Sequence, residues 1–531
     1  MAVEIGLRGR KPPSRGVVAR KKPAPESSLQ PAGPPCRIRR TMNAAVFLIS
    51  LLAASASAAE RPNLLVFLVD DMGWQDTSLP FFYDAAGKPV TTALNRRYRT
   101  PHMEALAARG MRFTQAYAHP VCTPSRITLM TGKNPARHRV TNWTNPAGTE
   151  NGDNDVKHLR SPDGWGKTGI AADEKTLPAL LKAAGYRTIH CGKAHFGSRG
   201  AFGQDPKKIG FEVNIAGNEI GHPASYFAKE SFGTGSNHVT GLEKWHGQDL
   251  FLTEVLTREL CGAIETAAKE KQPFFAYMAH YAVHSPFQAD PRFAKNYPDL
   301  PKPQQAYASL IEGMDRSLGD VLAKLDALGI ADNTFVVFLS DNGGDAPLPN
   351  DKRVPVVSGN APLRGKKGMR YEGGIRMPMI AAWAKPAAGQ AAKESLKVPA
   401  GSHHDGLVSI ADLFPTLLEI AGVSGVPSFD GHDLRPALKG KPTTRPQWLV
   451  THYPHGHNND HFSIYHEGDW KFIRNHADGS AELYDLANDL AESTNLATKQ
   501  SERAAAMSEK LERQLVDYGA LRSKELGEVG R

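Results

Sequence analysis

Asp70 and Asp71 stand side by side at the end of an apolar run, with no Lys or Arg next to them, and Asp341-Asn342 repeats the arrangement. Neighbouring carboxylates repel one another unless a cation lies between them. Three carboxylates and an amide oxygen form a hard, all-oxygen donor set, which suits Ca²⁺ or Mg²⁺ better than zinc. An aspartate at a strand end also serves as a helix cap or turn former; two matching pairs after two matching runs favour the metal. Cys122, in "YAHPVCTPSRITLMTG", offers chemistry of another kind. Pro124 fits the first turn of a helix, so Cys122 is expected near a helix N-terminus, where a thiol ionises easily and an anion finds backbone donors. A thiolate nucleophile of the protease kind would need a histidine base beside it. Lys193 and His195 follow the β-like run "YRTIHC", and two positions apart on an extended segment they would point to one side. His284 follows the apolar "PFFAYMAHYA", a place where a lone histidine is more often a satisfied core group. "APLRGKKGMRYEGGIRMP" interleaves Arg364, Lys366, Lys367, Arg370 and Arg376 with glycines, which reads either as a flexible anion-binding loop or as a solvated charge run.

The elements that must hold these groups are legible as alternating strands and helices. "RPNLLVFLVDDMGW" and "NTFVVFLSDNGG" are continuously apolar before their acidic ends, the pattern of central parallel strands buried on both faces. Helical segments are predicted over Pro101 to Arg109, Leu177 to Ala184, Asp249 to Glu270, Gln304 to Ala327, and through "LVSIADLFPTLLEIAGV" at 407 to 423. The fold class is therefore α/β, with a large, mostly parallel central sheet flanked by helices. In such sheets ligands gather at the carboxyl ends of the strands, which is where both acidic pairs fall. From about Thr443 the pieces "QWLVTHYP", "HFSIYHEG", "DWKFIRN" and "AELYDL" precede a charged helix from Glu502 to Tyr518, which predicts a smaller antiparallel sheet plus helix.

The formal net charge is +9, but residues 1 to 41 hold ten Lys/Arg against two Glu, a surplus of eight that leaves about one for the rest. A nearly neutral folded part gives no support to nucleic-acid binding. The extension is also rich in proline and reads as disordered, either an over-extended reading frame with Met42 the true start or a long cytoplasmic n-region. Residues 42 to 58 carry a short apolar run and an Ala56-Ser57-Ala58 step, the pattern of a secretory signal peptide, too short for a stable membrane span. The expected organisation is a 1–41 extension, a 42–58 signal, a 59–442 catalytic domain and a 443–531 C-terminal subdomain, in a protein exported to the periplasm or secreted. Export threatens an ordinary catalytic thiol with oxidation. The mature chain would keep Cys122, Cys191 and Cys261, too few for a disulfide framework, with Cys191 and Cys261 either paired or free.

Cys122-Thr123-Pro124-Ser125-Arg126 with Leu129, Thr131 and Gly132 resembles the signature of the type I sulfatases, C-x-P-S-R-x-x-L-x-T-G, at every fixed position. "TPHMEALAARGMRFTQAYA" and "ELYDLANDLAESTNLA" are also similar to that family, a branch of the alkaline phosphatase superfamily. The resemblance implies that a formylglycine-generating enzyme oxidises Cys122 to formylglycine, an aldehyde whose hydrate attacks sulfur with one hydroxyl and uses the other to release sulfate. It also implies Ca²⁺ held by Asp70, Asp71, Asp341, Asn342 and residue 122. Arg126, Lys193, His195, His284 and Lys367 would then surround the reacting group. Lys193 and Lys367 would hold sulfate oxygens, and His284 and His195 would move protons, in roles that could be exchanged.

The substrate expected is a sulfate ester, with a sulfated carbohydrate favoured by export and by the polar loops around 141 to 170. "THYPHGHNNDH", residues 451 to 461, places His452 and His455 either in a metal-binding tract or at the pocket rim against the alcohol part. The rivals are a formylglycine-dependent phosphonate or phosphodiester hydrolase and, from another class, a non-catalytic sugar-binding protein. A zinc phosphatase of the same superfamily is disfavoured because Asp341-Asn342 has no histidine there.

Overall fold

A computed structural model describes residues 61–525 except 85, 152–157, 348–358, 387–394, 428–429, 444 and 457–460. The extension and signal segment expected over residues 1–58 lie outside the described residues. The central sheet contains β1 (Asn63–Val69), β2 (Met111–Tyr117), β3 (Arg187–Gly192), β4 (Val213–Ile215), β5 (Phe274–Ala279), β6 (Thr334–Ser340), β7 (Arg376–Trp383), β8 (Ser402–His404) and β9 (Val408–Ser409). They lie in the order β9-β2-β7-β6-β1-β5-β3-β4, with β8 also on β2. Only β7 runs antiparallel, against both β2 and β6, so the sheet is mixed but mostly parallel, as the apolar runs predict.

β1 is central because every one of its residues is apolar or small enough to be enclosed. Val66 lies between Tyr277 and Val337 in register. Its side chains alternate between two cores. Leu65, Phe67 and Val69 face helices α1 (Pro101–Arg109), α4 (Leu252–Lys269) and α5 (Lys302–Ala327). Leu64, Val66 and Leu68 face α2 (Cys122–Thr131), α3 (Leu177–Ala183) and α6 (Leu413–Ile420). Gly192, with φ of +101°, ends β3 where a Cβ would meet the Ala279 carbonyl at 2.0 Å, so only glycine lets β3 close on β5 there.

One helix expectation needs correction. The segment 407 to 423 is not helical throughout: Val408–Ser409 is an edge strand paired with Ala116 and Tyr117, and α6 begins only at Leu413. Ser409 and Asp412 set that start, the Ser409 hydroxyl accepting from the Ala411 amide and the Asp412 carboxylate accepting from the Ser409 amide.

Strands β10 (Trp448–Pro454), β11 (His461–Glu467), β12 (Trp470–Asn475) and β13 (Ala481–Asp485) form a four-stranded antiparallel sheet, and α7 (Ser501–Asp517) covers one face. Val450, Phe472 and Leu483 pack there against Met507, Leu511 and Leu515. The other face, through Tyr453, Phe462 and Ile473, packs against Tyr117, Val121, Tyr371 and Ile375, so this sheet braces the turn that leads into Cys122. Lys471 on β12 crosses the same seam. It is fully buried and pairs with Glu372 at 3.0 Å and Glu492 at 2.7 Å. Lys471→Met leaves Glu492 without its cation and Glu372 with Arg376 alone at 3.4 Å, and is expected to destabilise the fold by about 3 kcal/mol, measured by chemical denaturation. A loss within experimental error would mean that the seam tolerates the bare charges.

Candidate active site

The carboxyl ends of β1, β6, β3 and β5 converge beside the first turn of α2. Asp70 and Asp71 follow β1, Asp341 and Asn342 follow β6, Lys193 and His195 follow β3, and His284 lies beyond β5. Cys122 is the first residue of α2, with Pro124 in its first turn. The turn before it is tied down by Ser125, whose hydroxyl oxygen accepts from the His119 amide at 2.9 Å. Thr123 accepts from the Thr144 amide at 3.2 Å, and the Thr144 carbonyl in turn accepts from His195 Nε2 at 2.7 Å.

Arg126, one turn along α2, is wholly buried behind the acidic groups. Its Nε donates to Asp341 at 2.8 Å, its Nη1 donates to the Lys193 carbonyl at 2.8 Å, and its Nη2 lies 2.8 Å from Asp341 and 3.4 Å from Asp70. It therefore orients the carboxylates rather than facing the cavity. Lys193 Nζ reaches Asp70 at 2.7 and 2.9 Å, and Lys367 Nζ reaches Asp71 at 2.8 Å. The basic loop is thus not a free anion trap: Lys366 pairs with Asp345 and Arg370 with Glu482, while Lys367 turns into the site. Burial pushes the Asp70 carboxyl well above its usual range, with Lys193 opposing and Asp341 and Asp71 reinforcing, the response of an enclosed carboxylate crowded by two others. Burial acts on Asp71 in the same direction, but Lys367, His284 and Lys193 outweigh it and hold that carboxyl below its usual range.

The donor set fits a hard cation. Asp70, Cys122 and Asp341 bring ligand atoms within 4.8 Å of one another. Asn342 donates through Nδ2 to Asp71 at 2.9 Å, while its buried Oδ1 has no hydrogen-bond partner among the described residues. An acceptor left bare in the interior is costly, and a metal would satisfy it. Three carboxylates also face three cations, Arg126, Lys193 and Lys367, so a divalent cation and an anionic substrate would enter as a nearly balanced pair.

Two site residues have left-handed backbones, Asp71 with φ of 62° and His195 with φ of 54°. Such conformations cost about 1 kcal/mol or more in non-glycine residues and concentrate at functional sites. For His195 this corrects the expectation of an extended segment. The chain turns after Gly192, and the turn sends Lys193 to Asp70 and brings His195 Nδ1 to 3.4 Å from Cys122 Sγ. With Nε2–H committed to Thr144, Nδ1 carries the lone pair that faces residue 122, a tautomer assigned from its partners. Burial first, then Lys193, holds His195 well below its ordinary value, so the ring is neutral at pH 7. Helix position likewise does not make Cys122 a ready thiolate. Burial raises its pKa, and Lys193 and Lys367 offset that only in part.

His284 donates from Nδ1 to the Ser285 carbonyl at 3.0 Å, and its Nε2 lies 3.1 Å from Lys367 Nζ and 3.4 Å from Asp71. It lines, with Cys122, His195 and Lys367, a cavity of about 440 Å³ whose wall continues through Trp143, Asn145, His222, Asn237 and Asp345. Trp143 and Asn145 belong to the polar stretch from 141 that the sequence marks, whereas His222, Asn237 and Asp345 carried no local sequence signal.

His452 and His455 are not brought to this cavity, which corrects the rim expectation. Both are buried, His452 between the Ser463 hydroxyl at 2.7 Å and the Leu521 carbonyl at 2.7 Å, and His455 between the hydroxyls of Thr141 at 2.8 Å and Ser161 at 2.7 Å. With both ring nitrogens occupied, neither has an atom left for a substrate or a metal; the rest of that tract, 457 to 460, lies outside the described residues. Cys191 and Cys261 are both free thiols.

The family model described as sulfatase matches residues 62–423, and one described as N-sulphoglucosamine sulphohydrolase, C-terminal, matches residues 365–520. The chain is 33% identical over 420 residues to N-acetylgalactosamine-6-sulfatase of Mus musculus, covering 75% of this chain and 70% of that protein. It is 28% identical over 533 residues to a sulfatase of Formosa agariphila, covering 85% and 87%. Among solved structures, that of Ps i-CgsB in complex with k-i-k-neocarrahexaose superposes with a TM-score of 0.66 at 25% identity, covering 87% of this chain and 95% of that one.

Proposed function

Because the chain belongs to the sulfatase family and is a sulfuric ester hydrolase, we propose that it cleaves sulfate monoesters of carbohydrates by using a formylglycine formed from Cys122 together with Ca²⁺. The observation that carries this reading is the placement of Cys122 Sγ 3.4 Å from a histidine lone pair and among the ligand atoms of Asp70 and Asp341.

Asp70, Asp71, Asp341 and Asn342 would hold the ion. When present, the metal supplies positive charge beside residue 122 and the hydrated aldehyde supplies the attacking oxygen. Lys193 and Lys367 bring two ammonium groups whose fields reach residue 122, where they offset negative charge growing on sulfate oxygens. His195, neutral and with Nδ1 aimed at residue 122, accepts a proton from the hydroxyl there. His284, on the cavity wall, is held neutral by burial and by Lys367 with its ring hydrogen on Nδ1, so the proton that its Nε2 passes to the departing alcohol is first taken from the Lys367 ammonium 3.1 Å away. The 3.4 Å contact belongs to His195, which supports dividing the roles in this direction.

Trp143 with Asn145, Asn237 and Asp345 gives the cavity one aromatic face and several hydrogen-bonding groups, a lining suited to a sugar. A relative named as an N-acetylgalactosamine-6-sulfatase and a solved complex with k-i-k-neocarrahexaose support the same class. A formylglycine-generating enzyme is the partner this requires, and the signal-like segment at 42 to 58 supports export. Turnover of a sugar sulfate should exceed that of a matched phosphate diester or phosphonate under the same conditions. The reverse ranking would replace this reading with the phosphonate or phosphodiester hydrolase.

A further inference from the structure

Between the two catalytic histidines runs a short loop to which no motif draws attention. His222 lies face to face with His284, ring centroids 5.6 Å apart and planes inclined by 9°, the offset parallel arrangement that aromatic rings favour. Its own ring is fixed at both nitrogens. Nδ1 donates to the Pro223 carbonyl at 3.1 Å, and Nε2 accepts from Asn237 Nδ2 at 3.0 Å. The residue before it serves the other histidine: a Cβ on Gly221 would stand 3.0 Å from His195 Cε1, so the glycine lets the backbone lie against that ring. Gly221, His222 and Asn237 all line the cavity that holds Cys122.

His284 is held in the same way at Nδ1, but the partners of its Nε2 are themselves groups of the active site. Nδ1 is tied to the adjacent Ser285, and Nε2 shares Lys367 and Asp71 with the rest of the site. Rotation of the ring about its Cβ–Cγ bond would carry Nε2 away from the leaving oxygen, and the flat face of His222 opposes that rotation. We infer that His222, clamped by Asn237 and the Pro223 carbonyl, is a positioning residue that holds the His284 ring in its proton-donating orientation. This rests on the reading of His284 as the donor to the departing alcohol.

The test uses two sulfate esters, one of a sugar hydroxyl, whose alkoxide is strongly basic, and 4-nitrophenyl sulfate, whose phenolate leaves without help. Proton donation matters only for the first. His222→Ala is expected to lower kcat on the sugar sulfate by about tenfold or more, with KM little changed, while turnover of 4-nitrophenyl sulfate stays near that of the unmodified enzyme. His222→Phe keeps the flat ring without the nitrogens and should recover most of the loss. Equal loss on both esters, a loss confined to KM, or a Phe variant no better than Ala would each overturn the inference. His284→Ala, measured in parallel, separates the two claims. A leaving-group bias in His284→Ala but not in His222→Ala overturns only the role of His222, and no bias in either overturns the donor role and the inference with it.

Discussion

Cys122→Ala is expected to abolish sulfate-ester turnover, lowering kcat by about 10⁴-fold or more, a loss of the size seen when a nucleophile is removed from an otherwise intact site. The rest of the site predicts that nothing else substitutes. His195 Nδ1 points at position 122, and among the described residues no second hydroxyl or thiol is hydrogen-bonded to it. Nor would the unmodified thiol serve, because burial raises its pKa despite Lys193 and Lys367, and a protonated thiol is a poor nucleophile. The alanine variant should fold normally, since the lost contact is a single 3.4 Å approach to His195 and α2 keeps Pro124, Ser125 and Arg126 in place. Circular dichroism and thermal unfolding would check the fold, and steady-state kinetics the loss. Mass spectrometry of the peptide around residue 122 from active protein should find the sulfur gone and an aldehyde in its place. Retained turnover by the variant, or sulfur retained in fully active enzyme, would remove formylglycine from the mechanism.

The sheet and the acidic pairs were legible because both are written locally. An unbroken apolar run that stops at an acidic pair predicts a central strand and the position of its carboxyl end at once, and β1 with Asp70-Asp71 and β6 with Asp341-Asn342 follow that pattern. α1 begins and ends at the predicted Pro101 and Arg109 because proline and the following glycine punctuate it. What was not legible depends on partners distant in sequence. Arg126 matches a motif position, yet its work of tying Asp341 to the Lys193 carbonyl appears only when three segments meet. His452 and His455 look like a polar rim in sequence, but hydroxyls from Ser463, Thr141 and Ser161 satisfy them inside the protein. His222 has no periodicity around it and becomes interpretable only through the ring stacked on it. Local pattern therefore supplies the scaffold and the order of the reactive groups, while the charge and orientation of each group come from tertiary contacts.

Asn342→Ala is expected to reverse the usual sense of a buried substitution. Oδ1 of Asn342 is enclosed without a hydrogen-bond partner among the described residues, and a bare acceptor costs about 1–3 kcal/mol. Its removal offsets the lost donation from Nδ2 to Asp71, so in the presence of a chelator the variant should unfold at nearly the same temperature as the unmodified protein. Calcium should separate them. A ligand that binds only the folded state adds about 2.7 kcal/mol at a hundred times its Kd, and the unmodified protein should gain that stabilisation as calcium is titrated. The variant, short of one oxygen, should need at least about tenfold more calcium for the same gain, and its turnover should recover over the same shifted range. Asp341→Ala makes a poorer test because it also strips Arg126 of its principal partner, and the buried guanidinium left behind would destabilise the protein with or without the ion. Thermal unfolding across a calcium series reads the outcome without relying on activity. If calcium leaves the unmodified protein unmoved, the ion does not bind this cluster; if it shifts both proteins alike, Asn342 is not among its ligands.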